Sequence, residues 1–468
     1  MRNAIIDIGS NAIRMIVYDR QSIGAIRIFE EKFKISVREL LDSKNFNIKH
    51  EFYTILEYFL RINDTLGVKK IIAVGTAVFR SHTKSNEWVS FIQKKYDLKI
   101  EIISGEREAY LSAYGVLQAI PDPKGLIADL GGGSIELAQI QNKQIGNLVS
   151  LELGTKILQR RQLSFLEITN IFKDKASNLL EPYDNLYLTG GSFRVIARHY
   201  IKYCNYPIKN IHNFLLESKY LMRHLYNINS FSKSNNRFLN VDKFTVVLLQ
   251  ALINFFSPGF ITTSTYGLKE GIFFDQLPEK EKQKNIVIEL TKNATNFPYD
   301  DSLLLSYREL ISNLLINKDQ ETLEVIDLSL IIVTTIQNVD PSLINYFINT
   351  LILTSATPFT HRQRVMLSIA ASYVFHYKLI PNMYKLSKMI ISKSDYHNSF
   401  IIGKLVKIYK IMDINDIPKN KVELCFKSNK IILSEPYSLP HSMISQINKD
   451  IYDVSNTINN KILEKKVE

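Results

Sequence analysis

Cysteine is scarce in this sequence: its 468 residues hold two, Cys204 and Cys425. They lie far apart and make neither a metal-ligand nor a redox spacing, so a disulfide framework is excluded and a reducing compartment is the default. Long apolar runs are missing as well. The longest, around Val246 to Phe256 and Leu328 to Ile336, fall well short of the roughly 20 residues that a membrane span needs. Behind Arg2, the polar Asp7, Ser10 and Asn11 interrupt the apolar stretch. No signal peptide is therefore expected, and the chain reads as soluble and cytoplasmic with no membrane partner. Arginine-rich tracts are absent too. The excess of 58 Lys+Arg over 46 Asp+Glu, a net charge of +12, raises the local concentration of polyanions. A bias towards lysine, asparagine and isoleucine explains that excess equally well, and no specific nucleic-acid partner is expected from it.

What is present is a folding chain with an internal repeat. Hydrophobic residues at 46% and charged residues at 22% are globular values, and at about 100–200 residues per domain the length predicts about three domains. The segment Ile6-Asp7-Ile8-Gly9-Ser10-Asn11-Ala12-Ile13-Arg14 returns as Asp129-Leu130-Gly131-Gly132-Gly133-Ser134-Ile135-Glu136. Without a gap, Asp7 falls on Asp129, Gly9 on Gly131 and Arg14 on Glu136, an offset of 129 − 7 = 122 residues. Each copy has an apolar run, an Asp, a turn of small residues and a second apolar run, which is the pattern of a β-hairpin. A turn bare of side chains presents several N–H groups to a ligand, and phosphate oxygens suit such a concavity. A single D-x-G turn means little, but a turn repeated in register predicts two lobes gripping one phosphorylated ligand.

The first lobe is expected over residues 1–119. It includes a strand around Ile26 to Ile35, a helix from Lys49 to Leu66, and the strand Lys70 to Val74 leading into Gly75-Thr76-Ala77-Val78-Phe79-Arg80. There Thr76 is the expected N-cap, and Arg80, one turn on, is placed to meet an anion at the helix start. Lys99 to Gly105 is expected as a strand and turn, followed from Glu106 by a helix in which Leu111, Tyr114 and Leu117 keep helical spacing. Taken alone, Glu106 and Glu108 in its first turn are explained by the helix dipole. Pro121-Asp122-Pro123 marks the hinge to a second lobe, residues 120–280. That lobe contains a further glycine turn at Gly190-Gly191, a candidate phosphate or nucleotide turn, and ends in the helix after Tyr266-Gly267. From about Glu279 glycine nearly disappears, Gly403 being the one example after Gly271. Periodic leucine- and isoleucine-rich stretches there predict a helical domain over 281–468, with a terminal hairpin near Val422 to Leu433.

These motifs, with Ile103-Ser104-Gly105-Glu106-Arg107-Glu108-Ala109, Gly190-Gly191-Ser192-Phe193-Arg194 and Tyr266-Gly267-Leu268-Lys269-Glu270-Gly271, resemble in order those of the exopolyphosphatase and guanosine pentaphosphate phosphatase family. The resemblance covers roughly the first 280 residues. It implies an α/β chain with the duplicated ribonuclease H-like, two-lobed fold of actin, heat-shock chaperone ATPases and sugar kinases. It also implies an active site in the cleft between lobes, Mg²⁺ as cofactor, and in long members an all-α, HD-like carboxy-terminal region; many members are dimers, so a homodimer is implied. Residue by residue, Glu108 falls on the water-activating carboxylate, Glu136 on the second catalytic acid and a metal ligand, and Asp129 on the aspartate associated with metal and phosphate. Asp7, Ser10, Asn11 and Arg14 fall in the first phosphate turn, Gly131, Gly132, Gly133 and Ser134 in the second, and Arg80 on an arginine near the phosphate. Two departures, Lys84 for a common Asn and Ala12 for a frequent Ser, leave the carboxylates untouched. The chain contains no adjacent His-Asp pair, so no metal or hydrolase chemistry is expected in the helical region, and His361, His376 and His397 read as ordinary polar residues.

Hydrolysis of a phosphoanhydride rests on positioning and on neutralising phosphate charge. The leading expectation is an exopolyphosphatase acting on inorganic polyphosphate. Hydrolysis of the 5′-terminal phosphate of guanosine pentaphosphate uses the same residues. A kinase of this fold would lack the Ile103 to Ala109 motif, and a non-catalytic phosphate or nucleotide sensor has no need of Glu108, Asp129 and Glu136 together.

Overall fold

The computed structural model describes residues 1–43, 46, 49–231, 241–295, 301–335, 340, 342–354, 357–375, 388–418, 421–434 and 437–464. They form two compact units, Met1–Ile286 and Val287–Glu468. The boundary lies beyond the change in composition near Glu279, since the Ile23 N–H donates to Glu281 Oε2 (3.4 Å) and ties that stretch to the first unit.

The first unit carries two sheets of one design. Strands β1 (Asn3–Ile8), β2 (Ala12–Tyr18), β3 (Arg27–Lys34), β4 (Lys70–Gly75) and β5 (Ile100–Ile102) lie in the order β3-β2-β1-β4-β5. The first three form an antiparallel meander, and β4 and β5 run parallel to β1. Strands β6 (Gly125–Leu130), β7 (Ile135–Gln141), β8 (Gln144–Leu151), β9 (Asn185–Thr189), β10 (Phe214–Glu217) and β11 (Phe260–Thr263) repeat it as β8-β7-β6-β9-β11, with β10 added antiparallel at the edge. Central β1 and β6 are apolar on both faces and almost wholly buried, as strands covered by helices on both sides must be. Strand β3, at an edge, instead alternates Phe29 and Phe33 with Glu30, Lys32 and Lys34.

Two helices cross at the floor between the sheets. Helix Gly105–Ala119 follows the first sheet in sequence, yet its Ala113 and Val116 pack with Ile127, Ala138, Ile140 and Tyr187 of the second. Helix Leu268–Asp275 follows the second sheet, yet Phe273 stacks on Tyr18 of β2 with ring centroids 3.8 Å apart. Their backbones touch: a Cβ on Gly271 would run into the Leu111 carbonyl, so only glycine permits this approach.

The second unit is mainly helical, and within it β12 (Val422–Cys425) and β13 (Lys430–Leu433) form an antiparallel pair. Helices His361–Phe375 and Lys393–Ile414 approach closely enough that a Cβ on Gly403 would strike the Ala370 carbonyl, which accounts for this isolated glycine. Lys404 and Lys407 satisfy the fully buried Asp450 at 2.6 and 2.8 Å. His361 is buried at the start of its helix, His397 lies in helix Lys393–Ile414, and His376 lies outside the described residues. Among the described residues no helix is long and apolar enough to cross a membrane.

Candidate active site

The two hairpins are equivalent at the level of single atoms. Gly9 N–H donates to Ala12 O (2.9 Å), and Gly131 N–H donates to Ser134 O (3.0 Å). Across the ladders Asp7 pairs with Arg14 and Asp129 with Glu136, which puts each pair on one face of its sheet. The turns face one another: a Cβ on Gly132 would meet the Asn11 side chain, and one on Gly133 would lie 3.0 Å from Ser10 Oγ. Among the described residues, no protein acceptor takes the N–H groups of Ser10, Asn11, Gly132 or Gly133. Unpaired amides on both sides of a gap make an anion cradle.

Glu108 enters this gap from the first turn of helix Gly105–Ala119, which is capped by Ser104 Oγ accepting from the Arg107 N–H (3.1 Å). It is 7% exposed, and Glu136 is 2% exposed. Arg80 sits between the two acids, donating through Nη1 to Glu108 Oε2 (2.6 Å) and to the Ile103 carbonyl (3.2 Å), with Nη2 3.7 Å from Glu136 Oε1. Burial pushes the Glu108 carboxyl up to about 7 against the pull of Arg80, with Asp7 and Asp129 adding to the rise. Burial and then the charge of Glu108 raise Glu136 well above the usual carboxylate range, although Ser150 Oγ donates to its Oε1 (3.0 Å). Asp7 and Asp129 are raised for the same first reason, loss of water, and Asp129 accepts from Ser112 Oγ (2.6 Å). Thr76 stands at the N-cap of helix Ala77–Ser81, but its hydroxyl makes no capping bond. Arg80 lies near the end of that helix, its guanidinium reaching Glu108, Glu136 and, at 3.4 Å, Ser134 Oγ of the second turn.

Two cavities meet here. An inner chamber of about 480 Å³ is lined by Asp7, Ser10, Asn11, Arg14, Glu108, Asp129, Gly131, Gly132, Gly133, Ser134, Glu136, Gly190 and Gly191. Thus every residue expected at the site, save Arg80, borders one space. Arg80 lines the adjoining outer groove of about 1660 Å³, together with Arg38, Lys156, Arg160 and Lys175. Lys32 and Lys34 border both cavities. Sequence reasoning missed these two lysines, although their alternation on β3 put both on one face. It also missed Lys269, whose Nζ bridges Glu30 (2.8 Å) and Glu270 (3.2 Å), and Arg194, whose guanidinium is held by the carbonyls of Ser264 and Thr265. Lys269 lies in the Tyr266 to Gly271 motif and Arg194 in the Gly190 to Arg194 motif.

The donor set fits a hard divalent cation. Asp129 and Glu136 are cross-strand neighbours whose oxygens are buried among further carboxylates, and an added positive charge relieves that repulsion. Two such carboxylates are a donor set that Mg²⁺ accepts, since it usually keeps several waters and takes one or two carboxylates.

The sequence matches the model of the Ppx/GppA phosphatase family over residues 16–280, more than half of the chain. Retrograde regulation protein 2 of Saccharomyces cerevisiae is 26% identical in an alignment of 246 residues that covers 45% of this chain and 42% of that protein. The match thus spans less than half of this relative. Among solved structures, an exopolyphosphatase from Cytophaga hutchinsonii aligns with a TM-score of 0.51 at 23% identity, covering 59% of this chain and 99% of its own. A Ppx/GppA family member from Aquifex aeolicus gives 0.48 at 20% identity, over 58% of this chain and 96% of its own. The first unit has the two-sheet α/β fold of the Cytophaga exopolyphosphatase.

Proposed function

The chain belongs to the Ppx/GppA phosphatase family, and from that premise we propose that it is an exopolyphosphatase, releasing orthophosphate from the ends of inorganic polyphosphate. The observation that carries this reading is Glu108: a buried acid with a proton affinity near neutrality, standing in a chamber between two amide-lined turns. In this reading the free N–H groups of Ser10, Asn11, Gly132 and Gly133, with Arg14, hold the terminal phosphates. Glu108 orients a water in line with the terminal phosphorus and accepts its proton as the new P–O bond forms and the bridging P–O bond breaks. Arg80 holds one Glu108 oxygen fixed, leaving the other to the water. Mg²⁺, held by Asp129 and Glu136, supplies charge neutralisation at the phosphate oxygens when bound.

The outer groove favours the polymer over guanosine pentaphosphate, because Lys32, Lys34, Arg38, Lys156, Arg160 and Lys175 line it and outnumber its acids Glu39, Glu106 and Glu152, a balance that attracts a long polyanion. A non-catalytic regulatory role is the second reading. It is favoured by the yeast relative, named as a retrograde regulation protein, and by the ion pair that occupies one oxygen of Glu108. We also take the helical unit as the HD-related extension of long family members, without metal chemistry, since Arg362 engages Asp319 at 2.8 Å and Asp395 at 2.6 Å. The protein is further taken to act as a cytoplasmic homodimer, which light scattering can check. The deciding experiment incubates purified protein and Mg²⁺ separately with long polyphosphate, guanosine pentaphosphate and ATP. Fastest phosphate release from polyphosphate is expected; fastest release from guanosine pentaphosphate selects that substrate, and none from any selects the regulatory reading.

A further inference from the structure

Asp7 and Asp129 occupy equivalent positions in the two hairpins, yet they are held differently. Asp129 Oδ2 accepts from Ser112 Oγ at 2.6 Å, and Asp129 also accepts from the Leu268 backbone N–H. Among the described residues no side chain donates a hydrogen bond to Asp7.

Ser112 is an unusual serine. It is 1% exposed and stands four residues after Glu108, on the same face of helix Gly105–Ala119. Three other buried serines within helices bond back to their own helix: Ser329 to the Val325 carbonyl, Ser368 to Arg364 and Ser399 to Asp395. That local bond is the ordinary outlet for such a hydroxyl. Ser112 instead spends its proton on the second sheet. Its helix has little room to slide, because the Leu111 carbonyl lies directly against Gly271. The hydroxyl therefore ties the helix that bears Glu108 to the carboxylate at the end of β6.

We propose that Ser112 is a positioning residue that fixes Asp129 as the standing carboxylate for the divalent cation, giving two sequence-equivalent aspartates different duties. This rests on the reading that Asp129 helps to hold the cation. Asp129 then offers its remaining lone pairs in one orientation, at a set distance from Glu108, whereas Asp7 is free to turn as phosphate enters. A partner behind a metal ligand commonly contributes about 10–100-fold in metal affinity.

The test titrates Mn²⁺ into full-length protein without substrate, followed by electron paramagnetic resonance, and separately measures phosphate release against Mg²⁺ concentration. Ser112→Ala should weaken Mn²⁺ binding by about 10-fold while circular-dichroism melting stays close to wild type and kcat recovers at saturating Mg²⁺. Ser112→Thr, which keeps the hydroxyl, should restore the affinity. Ser112→Cys, a similar volume with a weaker donor, gives an intermediate loss and serves if the alanine variant fails to fold. Wild-type Mn²⁺ affinity in a folded Ala or Cys variant overturns the proposal, as does a folded Thr variant as weak as Ala or a wild type that binds no Mn²⁺. If wild type binds Mn²⁺ but releases no phosphate, the hydrolase reading fails and the assignment of Ser112 still stands on the metal titration.

Discussion

Nη1 of Arg80 lies 2.6 Å from Oε2 of Glu108, while Nη2 of the same guanidinium lies 3.7 Å from Oε1 of Glu136. One cation from the first lobe thus serves two acids, one on the cleft helix and one on β7. Burial raises both carboxyls, and Arg80 is the largest influence opposing that rise at Glu108. In the proposed hydrolase it therefore helps to set the pH at which Glu108 can accept a proton.

Removing that cation moves the acid limb of the activity profile upward. In Arg80→Ala, Glu108 loses its ion pair and becomes harder to ionise, so half-maximal kcat/KM on the acid side should lie higher than in wild type by about one pH unit or more. Rates measured from pH 5.5 to 9 check this. An unmoved limb would show that Glu108 does not govern it.

Glu108 itself sets a second expectation. Glu108→Gln should lower turnover by about 10²–10⁴-fold while polyphosphate binding, followed by filter retention, changes less than threefold. In wild type the rate should fall about tenfold per pH unit well below the Glu108 value of about 7. Stability carries the opposite sign. The folded carboxyl holds its proton above the ordinary 4.5, so its contribution is complete below that value and is lost as pH rises through about 7. The glutamine variant lacks this loss, and its melting temperature should decline less than that of wild type between pH 5 and 8. Equal declines would count against a buried, proton-retaining Glu108.

The hairpins were legible because their chemistry is local: Asp7, Gly9, Asp129 and Gly131 declare a turn within a few residues, and the offset reveals the pair. Strand β3 was legible too, as Arg27–Lys34 within the expected Ile26 to Ile35. What escaped depends on partners far along the chain. Arg80 looked like a phosphate donor beside a helix start, and nothing nearby reveals that Glu108 and Glu136 meet it first. Ser112 looked like a small residue on a helix, its partner being 17 residues away on another sheet. The exchange of helices between sheets was hidden for the same reason. Gly115, Gly267 and Gly271 mark a close crossing only once the helices are placed, when a Cβ on Gly115 would meet the Gly267 carbonyl.

That crossing yields a stability prediction. Gly271→Ala puts a methyl group onto the Leu111 carbonyl, which is backbone and cannot rotate away, so the helices must part. A loss of about 1–3 kcal/mol is expected in urea denaturation, together with reduced activity because Glu108 and Ser112 ride on the displaced helix. Gly191, where an added Cβ meets nothing within 4 Å, is the control, and Gly191→Ala should leave the denaturation midpoint nearly unchanged. Equal effects at the two positions would argue against the crossing.

The outer groove separates polymer from short substrate. Lys156 and Arg160 lie on helix Thr155–Arg161 and line the groove without bordering the inner chamber. They should touch only phosphates beyond those held by the two turns. The double variant Lys156→Gln/Arg160→Gln should raise KM for long polyphosphate by about tenfold while leaving tripolyphosphate and kcat nearly unchanged, since an interaction removed equally from ground and transition states alters KM alone. Its KM should also depend less on salt, because fewer counterions leave when the polyanion binds. Measuring KM for long and short chains between 50 and 200 mM KCl tests both. If tripolyphosphate suffers as much as the polymer, these cations act inside the reaction centre and the groove is not a track for the chain.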